Sequence, residues 1–142
     1  MADPWRIESY ETVEGSRPFE TWAEGLASRD RRALVAAIDE LLVPLGPGIC
    51  ATPWGRHLGQ GLFELRIARV AASGGRPLPA EPAQSNRMLL RVFCHACGDR
   101  VVVLLGGYDK LRQPKKREQD RQIRLARRRL ADLQRRRPRH GG

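Results

Sequence analysis

Long apolar runs are scarce in this chain of 142 residues. None approaches the roughly 18–20 residues needed to span a bilayer, and no apolar signal segment follows Met1-Ala2-Asp3-Pro4-Trp5-Arg6. A cytoplasmic location without membrane attachment is expected. Cysteine is equally sparse: Cys50, Cys94 and Cys97 are too few for a disulfide framework, and their odd number fits a reducing compartment. Cys94-His95-Ala96-Cys97 lacks a second ligand pair at zinc spacing, since only Cys50, His57 and His140 remain and none is paired. It reads first as loop at a hairpin turn, ahead of a zinc site or a redox pair. Gly74-Gly75 and Gly106-Gly107 lack the Lys-Ser/Thr and the strand–turn–helix setting of a phosphate loop. There are no internal repeats, no Ser-His-Asp arrangement can be argued, and no metal or cofactor is expected.

Basic charge, by contrast, is abundant: the net charge is +10. Its distribution is uneven. Residues 110–139 hold 14 Lys and Arg against 3 acids, a net of +11, so the rest of the chain is close to neutral at −1. Such a segment concentrates polyanions and supports salt-dependent binding. Nucleic acid or the ribosome is the leading partner class, ahead of an acidic protein or a merely solubilising tail.

The central pattern is Leu58-Gly59-Gln60-Gly61 followed by Leu62-Phe63-Glu64-Leu65-Arg66-Ile67. The glycines supply a turn. Alternation then puts Phe63, Leu65 and Ile67 on one face of a strand (62–69) and Leu62, Glu64, Arg66 and Ala68 on the other. Before it, residues 4–12 read as a first strand. A short helix follows to about Ala27, with Ser16 as cap and Pro18 in its first turn. A second helix opens at Ser28 as cap, has Leu34, Val35, Ile38, Leu41, Leu42 and Leu45 on one face, and should end at Pro44. After it, 70–86 reads as a long, mobile hairpin insertion. Two more strands are expected at 88–94 and 100–105, the latter apolar on both faces and so central. Tyr108 and Lys110 leave that strand. A last helix spans about 115–136, with a narrow seam of Ile123, Ala126, Leu130 and Leu133, and 138–142 is a frayed tail. The expected fold class is α+β, in the order β-α-α-β-β-β-α: one domain over 1–137, with an antiparallel sheet backed by helices.

Chemistry concentrates in the cations. Arg91 stands in an apolar run and needs a partner or a ligand, because burying an unpaired charge is costly; Glu64 is the natural salt-bridge partner. Arg66, Arg91, Tyr108, Lys110 and His57 are candidates to line one concavity. On RNA such a set suffices for cleavage without metal. A base deprotonates the ribose 2′-OH, guanidinium groups stabilise the phosphorane charge, and an acid protonates the 5′-leaving oxygen. His57 is the candidate base by its ordinary pKa, a lysine or arginine the alternative, and Tyr108 a base stacker or proton carrier. Arg56, Arg112, Lys115, Lys116, Arg117, Arg121, Arg124 and Arg128 are candidate RNA- or ribosome-binding residues.

Taken in order, His57 to Arg66, Arg91-Val92-Phe93, Val103 to Lys110, Pro114-Lys115-Lys116 and the basic helix with Ala126 and Arg127 resemble the phage-derived HigB-like branch of the RelE/ParE toxin superfamily. Trp5, Pro18-Phe19 and Trp22 resemble that branch's opening strand and first helix. The resemblance covers roughly residues 4–133. It implies the toxin of a type II toxin–antitoxin pair, an mRNA-cleaving endoribonuclease acting on the ribosome. The family's cationic strand positions fall on Arg66 and Arg91, and its following basic positions on Lys110 and Arg112. The branch often has Phe at the place of Tyr108 and Lys-Lys at the place of Asp109-Lys110. Implied partners are a helix-turn-helix antitoxin, mRNA and the ribosome. The alternatives are a gyrase-directed inhibitor of the ParE kind and an RNA-binding relative without nuclease activity.

Overall fold

A computed structural model describes residues 3–69, 72–73, 76–77 and 88–136. The elements are β1 (Arg6–Ser9), α1 (Pro18–Glu24), α2 (Ser28–Ala37), α3 (Val43–Leu45), β2 (Gly55–Gly59), β3 (Leu62–Arg69), β4 (Ala72–Ser73), β5 (Arg76–Pro77), β6 (Met88–Cys97), β7 (Val101–Asp109) and α4 (Lys116–Arg136). The class is α+β. Five strands form one sheet in the order β1-β7-β6-β3-β2, and β4 pairs with β5 in a separate ribbon. That ribbon falls in the 70–86 insertion; the insertion's mobility, and the tail at 138–142, lie outside the described residues.

The sheet is mixed rather than wholly antiparallel. β1 runs parallel to β7, with Arg6 to Ser9 beside Val101 to Leu104. Hairpin connections fix the direction of consecutive strands only, and β1 meets its partner across most of the chain. β7 is an interior strand, flanked by β1 and β6, as its two apolar faces implied, and β6 is the third of the five. The turn ahead of β3 closes a hairpin with β2, through positive φ at Gly59, Gln60 and Gly61. β2 carries no apolar alternation, which hid it in the sequence. Cys94 and Cys97 are not in a turn: they lie in β6, and the reversal falls at Asp99 and Arg100, both at positive φ.

The helical caps also differ from expectation. Arg17 precedes α1, with Pro18 in the first turn, while the Ser16 hydroxyl bonds that of Thr12 at 2.9 Å. Ser28 is already inside α2. Pro44 does not end the run. Ile38–Leu42 widens into a π-helical turn in which the Val43 N–H bonds Ile38 O. The i→i−4 ladder is therefore already interrupted where the proline's missing N–H falls. A 3₁₀ turn over Gly46–Ala51 completes the run. By length and composition alone the 24 residues Ser28–Ala51 are long and apolar enough to cross a membrane, against the expectation that no run is. In the fold, Leu34, Leu42 and Ile49 from this run are buried against the sheet.

Two cores sandwich the sheet. On the α1–α2 side lie Phe63, Leu65, Ile67, Leu90, Val92, Cys94, Val102 and Leu104. On the α4 side, Leu62, Phe93, Val101, Val103, Leu105 and Tyr108 meet Ala126, Leu130 and Leu133. Each fully buried leucine of this kind contributes about 1.5–3 kcal/mol. The alternation of β3 and the seam of α4 thus face as the sequence pattern implied.

One irregularity decides where Tyr108 goes. Phe93 pairs with Gly106 but Cys94 with Leu104, leaving Leu105 as an extra residue on β7. This bulge inverts the strand's parity. Val101, Val103 and Leu105 face α4, and beyond the bulge so do Gly106 and Tyr108. Without it, Tyr108 would share the face of Val102 and Leu104. The bulge depends on Gly106, at φ 153°, where a Cβ would also collide with the Arg129 guanidinium. Arg129 donates to Leu105 O at 2.9 Å, clamping the extra residue from α4. Gly106→Ala is expected to cost about 1–3 kcal/mol, the scale of one residue held in a glycine-only conformation. Urea unfolding measures this, and a cost below about 0.5 kcal/mol, the level of an ordinary surface change, would sink the assignment.

Candidate functional site

The bulge assembles a polar cluster on the α4 side of the sheet. Arg66 on β3 pairs with Arg91 on β6, and Arg91 with Tyr108 on β7. Directly paired residues share a face. Glu64 pairs with Arg56 of β2 and so belongs to the same face. Lys110 extends the ladder by one residue, its backbone N–H bonding Leu89 O at 2.8 Å, and shares the parity of Tyr108. Five of the expected residues, Arg56, Arg66, Arg91, Tyr108 and Lys110, are therefore brought together.

Glu64 is the centre of the cluster. It is fully buried, and neither carboxylate oxygen has a hydrogen-bond partner. Its ion pair is to Arg66 Nε, at 3.9 Å, rather than the expected one to Arg91. Burial raises its pKa above the usual carboxylate range, opposed by the charges of Arg91, Arg56, Arg66 and Lys110. Arg91 is 5% exposed and donates Nη1–H to Leu90 O at 3.2 Å. Burial lowers its pKa, Glu64 works the other way, and a guanidinium remains a cation at neutrality. Arg66 is the exposed member, its side chain 39% accessible.

Tyr108 does not suit base stacking. It is 2% exposed, and its ring lies parallel to Phe93 with centroids 6.0 Å apart. Its hydroxyl is buried without a hydrogen-bond partner. Burial pushes its pKa up to about 12, with Glu64 and Glu118 adding and Arg91 and Arg56 opposing. It is a neutral phenol within the cluster.

His57 is not part of this group. It pairs with Phe63 and so projects from the opposite face, where it lines a small depression with Pro47, Gln60 and Ala96. The one-residue step from Arg56 to His57 in an extended strand puts them on opposite sides.

The remaining basic candidates form an outer rim. Arg117, Arg121, Arg124 and Arg128 are all exposed, and their spacing of 4, 3 and 4 residues makes one stripe along α4. Arg121 pairs with Glu118 at 3.5 Å and Lys116 with Asp120 at 3.2 Å. Lys115 and Arg112 are exposed beside them. Arg127 has another use, since it donates to Leu58 O at 2.6 Å and Gly59 O at 3.2 Å, tying α4 to the end of β2.

The sequence pattern pointed to the arginines but cast Glu64 only as a counter-charge. Its position two residues before Arg66 was legible. Its complete burial was not, because that depends on β2, whose pairing places Arg56 across from it. Among the described residues no group of three or more His, Cys, Asp or Glu is placed to hold a metal ion. Chemically, the arrangement offers a proton-accepting carboxylate beside fixed positive charge, which suits an anion that must also lose a proton. No protein-family model and no curated protein matches the chain.

Proposed function

We propose that this protein is the toxin of a type II toxin–antitoxin pair, a cytoplasmic endoribonuclease that cleaves mRNA on the ribosome without metal. The observation that carries the reading is Glu64, buried with both oxygens unbonded among Arg56, Arg66, Arg91 and Lys110. A structural ion pair would satisfy those oxygens. A carboxylate kept for proton transfer is left without a fixed partner, and Arg66, its exposed ion-pair neighbour at 3.9 Å, is the side chain that gives way when the ribose 2′-OH reaches the buried oxygens.

In this mechanism the scissile phosphate lies on Arg66 and Arg91. Glu64 takes the proton of the ribose 2′-OH, and the 2′-oxygen attacks phosphorus. The guanidinium groups stabilise the added charge on the pentacoordinate phosphate. The P–O5′ bond then breaks, and the leaving 5′-oxygen takes a proton from Lys110. The products are a 2′,3′-cyclic phosphate and a 5′-hydroxyl. The role of base passes to Glu64 from His57 because His57 lies across the sheet. The stripe Arg117–Arg128 on α4 supplies affinity for ribosomal RNA and for an acidic segment of a helix-turn-helix antitoxin.

Primer-extension mapping of mRNA after induction tests the reading. Cuts within codons, lost in Arg66→Ala, are the expected result. Growth arrest with intact mRNA and damaged DNA would replace it with a gyrase-directed toxin, and absence of arrest with a non-catalytic RNA-binding relative.

A further inference from the structure

β1 pairs only with Val101–Leu104, so the later half of β7 has no strand on that side among the described residues. The Lys110 N–H bonds Leu89 O, and by antiparallel alternation the N–H and C=O groups of Gly107 and Asp109 point the other way, away from β6. Asp109 O indeed accepts from the Gln113 N–H at 3.0 Å, outside the sheet.

At this free edge lies an open cleft of about 450 Å³, lined by Thr21, Trp22, Gly107, Asp109, Arg112 and Gln122 among others. Its chemistry is mixed in a particular way. Trp22 lies against Gly107, where a Cβ would meet its ring at 2.5 Å, and is braced at 5.9 Å by Phe19. It remains half-buried, with part of the indole open to the cleft. The Asp109 carboxylate is anchored, Oδ1 accepting the N–H groups of Leu111 at 2.9 Å and Arg112 at 3.3 Å. The Arg112 guanidinium stands beside it, Nε 3.8 Å from Oδ2 and its side chain 81% exposed.

An aromatic wall, a fixed carboxylate acceptor and an adjacent guanidinium donor match a planar heterocycle bearing N–H groups beside a carbonyl. Guanine has that edge: N1–H and N2–H for the carboxylate, O6 for the guanidinium. The cleft lies around the free edge of β7 from the cation cluster: Gly107 and Asp109 pair with Val92 and Leu90 and so face the α1 side, while Tyr108 between them faces the other side with its cross-strand partner Arg91.

We propose that this cleft receives a guanine base of an RNA strand that passes over the free edge of β7 from the phosphate held by Arg66 and Arg91, with Trp22 as the stacking surface and Asp109 and Arg112 as the reading groups. The proposal rests on the RNA reading above, and two readouts separate them. Non-cleavable 2′-O-methyl trinucleotides differing in one base are titrated against the wild-type chain and against Trp22→Phe, following tryptophan fluorescence. The matching ribonucleotides are assayed for cleavage. The expected result is quenching that is lost in Trp22→Phe, with guanine bound about tenfold or more tightly than any other base, the scale of one bidentate base contact. Asp109→Asn keeps the oxygen that caps the turn and should erase that preference; it also serves if Trp22→Phe fails to fold. Guanine-dependent quenching without cleavage supports the cleft and overturns the nuclease reading. Cleavage with neither guanine preference nor quenching overturns the cleft and leaves the nuclease reading standing. Neither quenching nor cleavage overturns both.

Discussion

Glu64→Gln is expected to slow RNA cleavage about 10²–10⁴-fold, the usual contribution of a positioned general base, with little change in KM. The carboxamide has the shape of the carboxylate but accepts no proton. The variant therefore separates proton transfer from packing at a fully buried position. The pH profile should change with it. A base acts when ionised, so the wild-type rate should climb as pH rises through the pKa of Glu64, which burial holds above the usual carboxylate range. The glutamine variant should lack that limb. Stability should move in a linked direction. Because the folded-state pKa is raised, the contribution of Glu64 to stability is fully present below the ordinary carboxylate pKa and is lost as pH rises through the raised value. The non-titrating glutamine should gain on the wild type across that window, as urea unfolding at several pH values would record. A loss of rate below tenfold with the pH limb intact would remove Glu64 from the role of base.

Arg91→Ala is expected to damage the fold as well as the activity. Arg91 is nearly buried and heads the charges that oppose the desolvation of Glu64. Removing one member of a buried charged pair leaves the other uncompensated, at a cost of about 3–5 kcal/mol. Cleavage should fall by at least about 10²-fold, since a donor to the developing phosphorane charge is lost. The double variant Arg91→Ala/Glu64→Gln tells the two effects apart. With the carboxylate neutralised, much of the stability should return while cleavage stays absent. Double-mutant analysis of unfolding free energies measures the coupling. A single-variant cost under 1 kcal/mol, or no recovery in the double variant, would show that the two groups do not share one electrostatic site.

The division between what was legible and what was not follows the range of the forces involved. Alternation in β3 set Glu64 and Arg66 on the face opposite Phe63, Leu65 and Ile67, because a strand's period of two needs no knowledge of its neighbours. The seam Ile123, Ala126, Leu130 and Leu133 likewise fixed which side of α4 meets the sheet, and the spacing of its outer arginines fixed the basic stripe. Local pattern misled where a distant contact prevailed. Pro44 reads as a helix stop, yet a π-helical turn just before it had already given up the ladder bond that proline cannot make. Cys94-His95-Ala96-Cys97 reads as a turn, yet β6 extends through it because β7 offers partners as far as Val101.

By itself, then, the sequence determined the α+β class, the burial faces of β3 and α4, the basic excess after Lys110 and the arginines worth watching. The tertiary structure alone decided that Arg56, Glu64, Arg66, Arg91, Tyr108 and Lys110 form one cluster and that His57 lies outside it. The reason is register. Strand pairing aligns residues dozens of positions apart, and a single extra residue, Leu105, inverts the parity of everything after it on β7. Pairing fixed Glu64 beneath the cations, and that bulge turned Tyr108 toward them.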